Sequence, residues 1–283
     1  NQKSWKAGNS EGGGGGLLMG RVVVGVERVG KRLAIVGDDG SAVGVHLGMS
    51  GRVLVFERGQ GVAAEPFGGR HTHARWWLGD GDGARVVFVD HRRFGGLWDW
   101  AVPKAGKLEG GKAGHRSVAG AVGEGEDEGD VVAGRGLWFA GLGPDALAVG
   151  PAELWRGLSG TRRCVKAALL DQRVVAGLGN IYVDELLFGA GVSPLRRADR
   201  VSRAEAAGLV RRMRTLLCRA IEAGGSTLRD YADASGRAGG YQLRHRVYGR
   251  GGLRCRRRGC GGTLVTGTVA GRTTVWCPVC QPR

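Results

Sequence analysis

The sequence predicts an α+β protein, with a β-rich N-terminal domain followed by a helical C-terminal domain that ends in a β-hairpin. Three observations carry this. Short apolar runs separated by Gly and Asp fill residues 1–102, and helical periodicity replaces them after residue 137. Positive charge also changes between the two parts. Residues 151–283 hold 24 Lys/Arg against 9 Asp/Glu, a net of +15 of the formal +16, whereas residues 1–150 hold 18 against 17.

The strands are read from Val22–Val24, Leu33–Val36, Ala42–Leu47, Trp76–Leu78, Val86–Val89 and Leu97–Val102. Turn strings such as Gly37-Asp38-Asp39-Gly40 separate several of them, the pattern of an antiparallel sandwich or barrel. Asn1–Gly16 ends in a glycine run and reads as flexible. Residues 103–136 carry ten glycines in 34 residues and an acidic knot, Glu124 to Glu128, without apolar periodicity. They read as a disordered insertion.

Beyond the insertion, Val201–Ala223 is the clearest helix. Ser202 and Glu205 form a capping-box signature. Leu209, Met213, Leu216, Leu217, Ala220 and Ile221 share a face, and Gly224-Gly225 ends it. Shorter helices fit Arg163–Gln172 and Val183–Ala190.

A basic C-terminal part points to a polyanionic partner, because each neutralised phosphate releases counterions. A GC-rich gene would also write arginine freely, but it would not segregate charge to one half. No run of eighteen apolar residues exists and no signal-peptide pattern opens the chain, so no membrane association and a cytoplasmic location are expected. Of six cysteines, Cys164 and Cys218 stand apart and read as small buried hydrophobes. The others follow Cys255-x4-Cys260-x16-Cys277-x2-Cys280. Two pairs flanking a hairpin can converge four thiolates on one structural Zn²⁺. Two disulfides are the alternative, disfavoured in the cytosol.

Leu170–Ser193 places two helices around a glycine-rich turn, Ala176-Gly177-Leu178-Gly179-Asn180, with Asn180 as a candidate N-cap and Arg162, Arg163 and Lys166 upstream. Such a turn at a helix N-terminus suits phosphate. The segment resembles the helix–two-turn–helix of the formamidopyrimidine-DNA glycosylase and endonuclease VIII family. Further strings agree in order: His46-Leu47-Gly48-Met49-Ser50-Gly51, Asp90-His91-Arg92-Arg93-Phe94-Gly95, Leu142-Gly143-Pro144-Asp145, Val247-Tyr248-Gly249-Arg250 and Gly271-Arg272-Thr273-Thr274.

This resemblance, to the formamidopyrimidine branch in particular, implies a base-excision repair glycosylase and abasic-site lyase. The expected substrates are oxidised bases in duplex DNA, purines such as formamidopyrimidines and 8-oxoguanine foremost. The damaged nucleotide is flipped out, an N-terminal proline amine attacks the sugar C1′, and the strand is cut by β- and δ-elimination. It implies that Lys31 contacts phosphate and assists β-elimination, and that Arg272 reaches DNA from the hairpin for δ-elimination. Met49, Arg92 and Phe94 fill the void left by the flipped base. His71, Arg162, Lys166 and Asn180 contact the backbone. The loop Asp230–Tyr241 resembles one that covers the damaged base.

The family's Pro-Glu-Leu-Pro-Glu start is not found in the sequence, which opens Asn1-Gln2-Lys3-Ser4. The resemblance therefore implies an N-terminally truncated chain with an incomplete sandwich, lacking the family's first helix and first strand. The alternative is a non-catalytic binder of damaged or abasic DNA that has lost the catalytic Pro and Glu. The expected organisation is a sandwich over 1–102, the insertion over 103–136, the helical domain over 137–250 and the zinc hairpin over 251–283. A monomer with DNA between its two domains, associated with the bacterial nucleoid, completes the expectation.

Overall fold

The computed structural model describes residues 5–8, 18–61, 64–79, 84–100, 138–228 and 233–283. The expected insertion lies outside the described residues. The chain forms two compact units, one of residues 1–140 with 227–239, the other of 141–226 with 240–283. Where the sequence suggests one helical stretch over 137–250, residues 227–239 group with the strands. Among the described residues no helix is long and apolar enough to cross a membrane.

The first unit is a β-sandwich of eight strands: β1 Trp5–Gly8, β2 Val22–Val29, β3 Arg32–Gly37, β4 Ala42–His46, β5 Arg52–Phe56, β6 Thr72–Leu78, β7 Arg85–Val89 and β8 Gly96–Trp100. Their hydrogen-bonded order is β5-β7-β6-β1-β2-β3-β4-β8. The short β1 pairs with both β2 and β6, joining the two halves of the sheet. This corrects the reading of Asn1–Gly16 as flexible throughout, since residues 5–8 form a strand. Four residues suffice because main-chain pairing on both sides needs no apolar pattern. Strand β5, absent from the expected set, is an edge strand whose alternation of buried Leu54 and Phe56 with exposed Val55 is the period-two signal. Val43, Val45 and Leu97 of one half pack with Ala74, Trp76 and Phe88 of the other in a single core cluster.

A buried charge cluster holds the loop between β5 and β6. Glu65 accepts from Arg75 Nε at 3.1 Å, Arg85 Nε at 2.9 Å and Thr72 Oγ1 at 2.9 Å. Arg85 also donates to the carbonyls of Gln60 and Gly61, and its guanidinium lies over the Phe56 ring at 4.6 Å. Burial alone raises the Glu65 carboxyl, but the hydrogen bonds from Arg75, Arg85 and Thr72 outweigh it and hold the group below the usual range.

The second unit contains α1 Pro151–Ser159, α2 Val165–Leu170, α3 Asn180–Ala190, α4 Arg203–Glu222 and the hairpin of β9 Val265–Val269 with β10 Arg272–Trp276. Ser202 caps α4 as expected: its Oγ accepts from the Glu205 amide, and the Glu205 side chain accepts from the Ser202 amide. Helix α1 was not foreseen, although Pro151 at its first position and the return bond from Gly150 N to Glu153 at 2.8 Å are start signals. Leu154, Leu158, Leu169, Leu186, Leu187, Leu209 and Met213 meet in one core. Each full burial contributes about 2 kcal/mol. Cys218 is exposed and Cys164 half-buried, against the expectation of two buried cysteines. Cys218 falls on α4 between residues whose apolar neighbours face the core, so helical phase overrides residue type.

Removal of the Glu65 carboxylate leaves Arg85 buried without its counter-charge. Glu65→Ala is expected to destabilise the first unit by about 3–5 kcal/mol, the cost of breaking a buried pair from one side. Denaturant unfolding followed by tryptophan emission checks this. A loss below about 1 kcal/mol would show that the cluster is relaxed by water.

Candidate nucleic-acid interface and metal centre

The four cysteines predicted as ligands come together. Their sulfurs all lie within 4.8 Å of one another. Cys255–Cys280 are 3.8 Å apart, Cys260–Cys277 3.6 Å and Cys260–Cys280 3.1 Å. A disulfide would need about 2.05 Å. A tetrahedral ion with bonds of about 2.3 Å to sulfur sets its ligands about 3.8 Å apart, so the donor set fits a closed tetrahedral site. The Cys260 thiol is lowered to about 7, first by the hydrogen bond from Cys280, while burial pushes Cys255 and Cys280 up. Sulfurs this close can all shed their protons only in favour of a cation.

The same hairpin is tied to the glycine turn by a buried charge pair. Lys166 is wholly buried. Its Nζ donates to Asp184 Oδ1 at 2.6 Å, Thr274 Oγ1 at 2.7 Å and the Thr273 carbonyl at 3.3 Å. Asp184 Oδ2 accepts from the Val275 amide at 3.1 Å. Asn180 Nδ2 donates to the same Thr273 carbonyl at 2.9 Å. Helices α2 and α3 therefore grip strand β10 next to Arg272, which is exposed at the strand's first position.

Two expectations are corrected here. Lys166 does not face solvent, because a buried ammonium must be given to a carboxylate and acceptors rather than left for a phosphate. Asn180 is the first residue of α3 and Gly179 is its N-cap. The Asn180 side chain is directed across to the hairpin, and its Oδ1 has no hydrogen-bond partner among the described residues.

The turn itself is shaped by Gln172, which sequence reasoning passed over. Its Nε2 donates to the Leu178 carbonyl at 3.1 Å, and its Oε1 accepts from the Gly177 amide at 2.9 Å. Gly177 has φ of 113°, open to glycine but not to side chains. The first amides of α3 thus present N–H groups that the helix does not use. Arg162 is exposed between α1 and α2. Glu185, also missed, accepts from the amides of Arg246, Val247 and Tyr248, each at 2.9 Å, and so holds the Val247-Tyr248-Gly249-Arg250 string against α3.

In the first unit, Lys31 sits with Gly30 in the two-residue turn between β2 and β3, exposed. Met49 and Phe94 are 60% and 51% exposed, which excludes the core role that such side chains usually have. The Arg92 guanidinium lies 4.8 Å from the Phe94 ring centroid. His71, half-buried, packs edge-on against exposed Phe67 at 5.1 Å and lies 6.2 Å from the His91 ring. Burial and the nearby Arg32 and Lys31 charges depress the His46 imidazole, whose Nδ1 accepts from the Gly48 amide at 3.3 Å. Of the expected covering loop, residues 230–232 lie outside the described residues. Its tip is closed by Asp233, which accepts from the amides of Ser235 and Arg237, and Ala234 accepts from the Val55 amide on the β5 edge at 2.9 Å.

A β-sandwich, together with a second unit whose paired helices clamp a four-cysteine hairpin, defines a class of DNA-repair glycosylase folds, and sequence comparison narrows it. Residues 6–97 match the formamidopyrimidine-DNA glycosylase N-terminal domain, and residues 131–232 match the formamidopyrimidine-DNA glycosylase H2TH domain. A formamidopyrimidine-DNA glycosylase of Cereibacter sphaeroides (strain ATCC 17029 / ATH 2.4.9) is 41% identical over 268 residues, covering 93% of this chain and 84% of that protein. One of Paracoccus denitrificans is 39% identical over 272 residues, covering 94% and 84%. The crystal structure of the MutM (Fpg) protein of Thermus thermophilus is 38% identical with a TM-score of 0.70, covering 94% of this chain and 85% of that one. Lactococcus lactis Fpg, in complex with DNA containing an abasic site, is 27% identical with a TM-score of 0.71, covering 94% and 84%. The chain belongs to the formamidopyrimidine-DNA glycosylase family.

The buried pair makes a pH-dependent prediction. Burial raises the Asp184 carboxyl from 3.8 to about 6, with Lys166 opposing the rise. A folded pKa above the unfolded one means tighter proton binding when folded, so this group's contribution is full below pH about 4 and lost as pH rises through about 6. Lys166→Met removes the opposing charge, so the loss should extend to higher pH and deepen. Unfolding free energies of both proteins between pH 4 and pH 8 check this. Parallel profiles would show that Asp184 is solvated.

Proposed function

We propose that this chain is a base-excision DNA glycosylase acting on oxidised purines in duplex DNA, with an abasic-site lyase step and one structural Zn²⁺ on Cys255, Cys260, Cys277 and Cys280. The observation that carries the reading is the pair of exposed apolar side chains, Met49 and Phe94, beside Arg92 on adjacent loops of a chain in this family. An extruded base leaves a gap in the stack, and apolar or planar side chains support the unstacked neighbours.

Within this reading each unit has its part. In the second, Arg162, Asn180 and the first amides of α3 hold backbone phosphate, and Arg272 reaches the DNA from the hairpin. Lys166 acts through Asp184 and Thr273 to keep the hairpin and the glycine turn in register, not by touching DNA. In the first, His71 and Lys31 meet the backbone. Lys31, on a tight turn, can move a proton during elimination; the Arg272 guanidinium remains charged and stabilises the departing phosphate. A zinc ion would supply no chemistry to the reaction in a site closed by four sulfurs; it would hold the hairpin that carries Arg272. A duplex substrate places the protein at the nucleoid.

The test of function compares binding to a duplex containing tetrahydrofuran, a stable abasic analogue, with binding to the intact duplex, together with release of 8-oxoguanine from a labelled duplex. Abasic DNA should bind at least about tenfold more tightly, and Phe94→Ala should lose most of that preference. Equal affinity for both duplexes would overturn the reading. Preferential binding without base release would leave a damage-binding protein in place of a glycosylase. Elemental analysis should return one zinc per chain, and Cys255→Ala should lose both the metal and the hairpin's amide protection. Metal-free protein with a protected hairpin would refute the structural role.

A further inference from the structure

The two loops that carry Met49, Arg92 and Phe94 run side by side. Residues 47–51 connect β4 to β5, and residues 90–95 connect β7 to β8. Strands β4 and β8 are paired in one half of the sheet, with His46 opposite Gly96, while β5 and β7 are paired in the other, with Arg52 opposite Val89. Both loops therefore cross from one half to the other between the same two strand pairs.

They touch through their backbones. A Cβ on Gly48 would stand 2.4 Å from the Phe94 carbonyl carbon, and one on Gly95 would stand 2.6 Å from the His46 carbonyl oxygen. Gly48 has φ of 60°, and Arg93 takes φ of 55° without being glycine. A non-glycine residue in that region is strained and persists only where its surroundings over-determine it. The exposed rings and chains of Met49 and Phe94 cannot supply that constraint.

One buried side chain can. Asp90, 1% exposed, accepts from Ser50 Oγ at 2.5 Å on Oδ1, and from the Gly95 amide at 2.6 Å on Oδ2. The Arg92 amide approaches Oδ1 at 3.3 Å. Its own main chain is fixed at both ends: the amide donates to the His71 carbonyl at 3.0 Å, and the carbonyl oxygen lies 2.8 Å from His73 Nε2. Asp90 thus bonds both loops at once, one residue after Met49 on the first and one after Phe94 on the second. We infer that Asp90 is a positioning residue that locks the two loops into one rigid wedge, so that Met49, Arg92 and Phe94 enter the duplex together. This rests on the proposed function, since it concerns how the void-filling side chains are held.

Asparagine is a demanding probe here. One carboxyl oxygen becomes an NH₂ group, which faces either the Gly95 amide or the Arg92 amide, donor against donor. The experiment is a double-mutant cycle of Asp90→Asn with Phe94→Ala. It is read as the ratio of affinities for tetrahydrofuran and intact duplexes, and as the emission of 2-aminopurine placed opposite the gap. Asp90→Asn should lower the ratio about tenfold, and adding Phe94→Ala should lower it by no more than about a further twofold, because an unheld wedge has little left to lose. Additive losses would overturn the inference and make Asp90 a contributor to stability alone. Should Asp90→Asn fail to fold by circular dichroism, Ser50→Ala, which removes one donor and leaves the Gly95 bond, takes its place; it should show the same non-additivity at smaller amplitude, and additivity there overturns the inference equally. If Phe94→Ala alone leaves the ratio unchanged, it is the void-filling reading that fails.

Discussion

A lysine ammonium with no exposure to water is the constraint on which the second unit turns. Lys166 can remain charged only because Asp184, Thr274 and the Thr273 carbonyl surround it. Two of those partners belong to the hairpin strand and one to α3, so neutralising a single charge brings three elements to one place. Asn180 then reaches the same Thr273 carbonyl, and the glycine turn and the tip that carries Arg272 become parts of one surface. An apolar contact of equal area would tolerate sliding; a charge with three directed acceptors does not.

The pattern recurs at each functional loop. Glu65 binds two arginines beneath the segment leading to His71. Asp90 binds the two loops that carry Met49 and Phe94. Glu185 gathers three successive amides of the segment after the expected covering loop. Each is an acid group buried among donors, and each anchors backbone with little regular structure of its own. A carboxylate answers several N–H groups at once, which is what an irregular segment needs when it has no ladder to join.

Much of this was legible in the residues. The cysteine spacing announced a four-sulfur site, and the Ser202–Glu205 box marked the cap of α4, although the helix was read from Val201 and begins at Arg203. Met49 and Phe94 were singled out through the strings around them, where hydrophobicity alone would have buried them. The reading failed where the signal was not periodic. Strand β1 is four residues paired on both sides, and β5 is a short edge strand, so neither offers a long apolar pattern. Lys166 failed for a different reason: a basic residue near a phosphate-binding turn looks the same whether its ammonium faces solvent or an aspartate eighteen residues on.

The sequence by itself determined the class of fold, the segregation of charge, the thiol cluster and the glycine turn, because each depends on residues close in the chain or on composition. Only the tertiary structure decided which charged groups face outward. It buried Lys166 and left Arg272 exposed at the hairpin tip, and it made Asp90, inconspicuous within its own string, the meeting point of two loops forty residues apart. Burial of a charge depends on the partners that distant segments deliver to it, and local patterning carries no record of those partners.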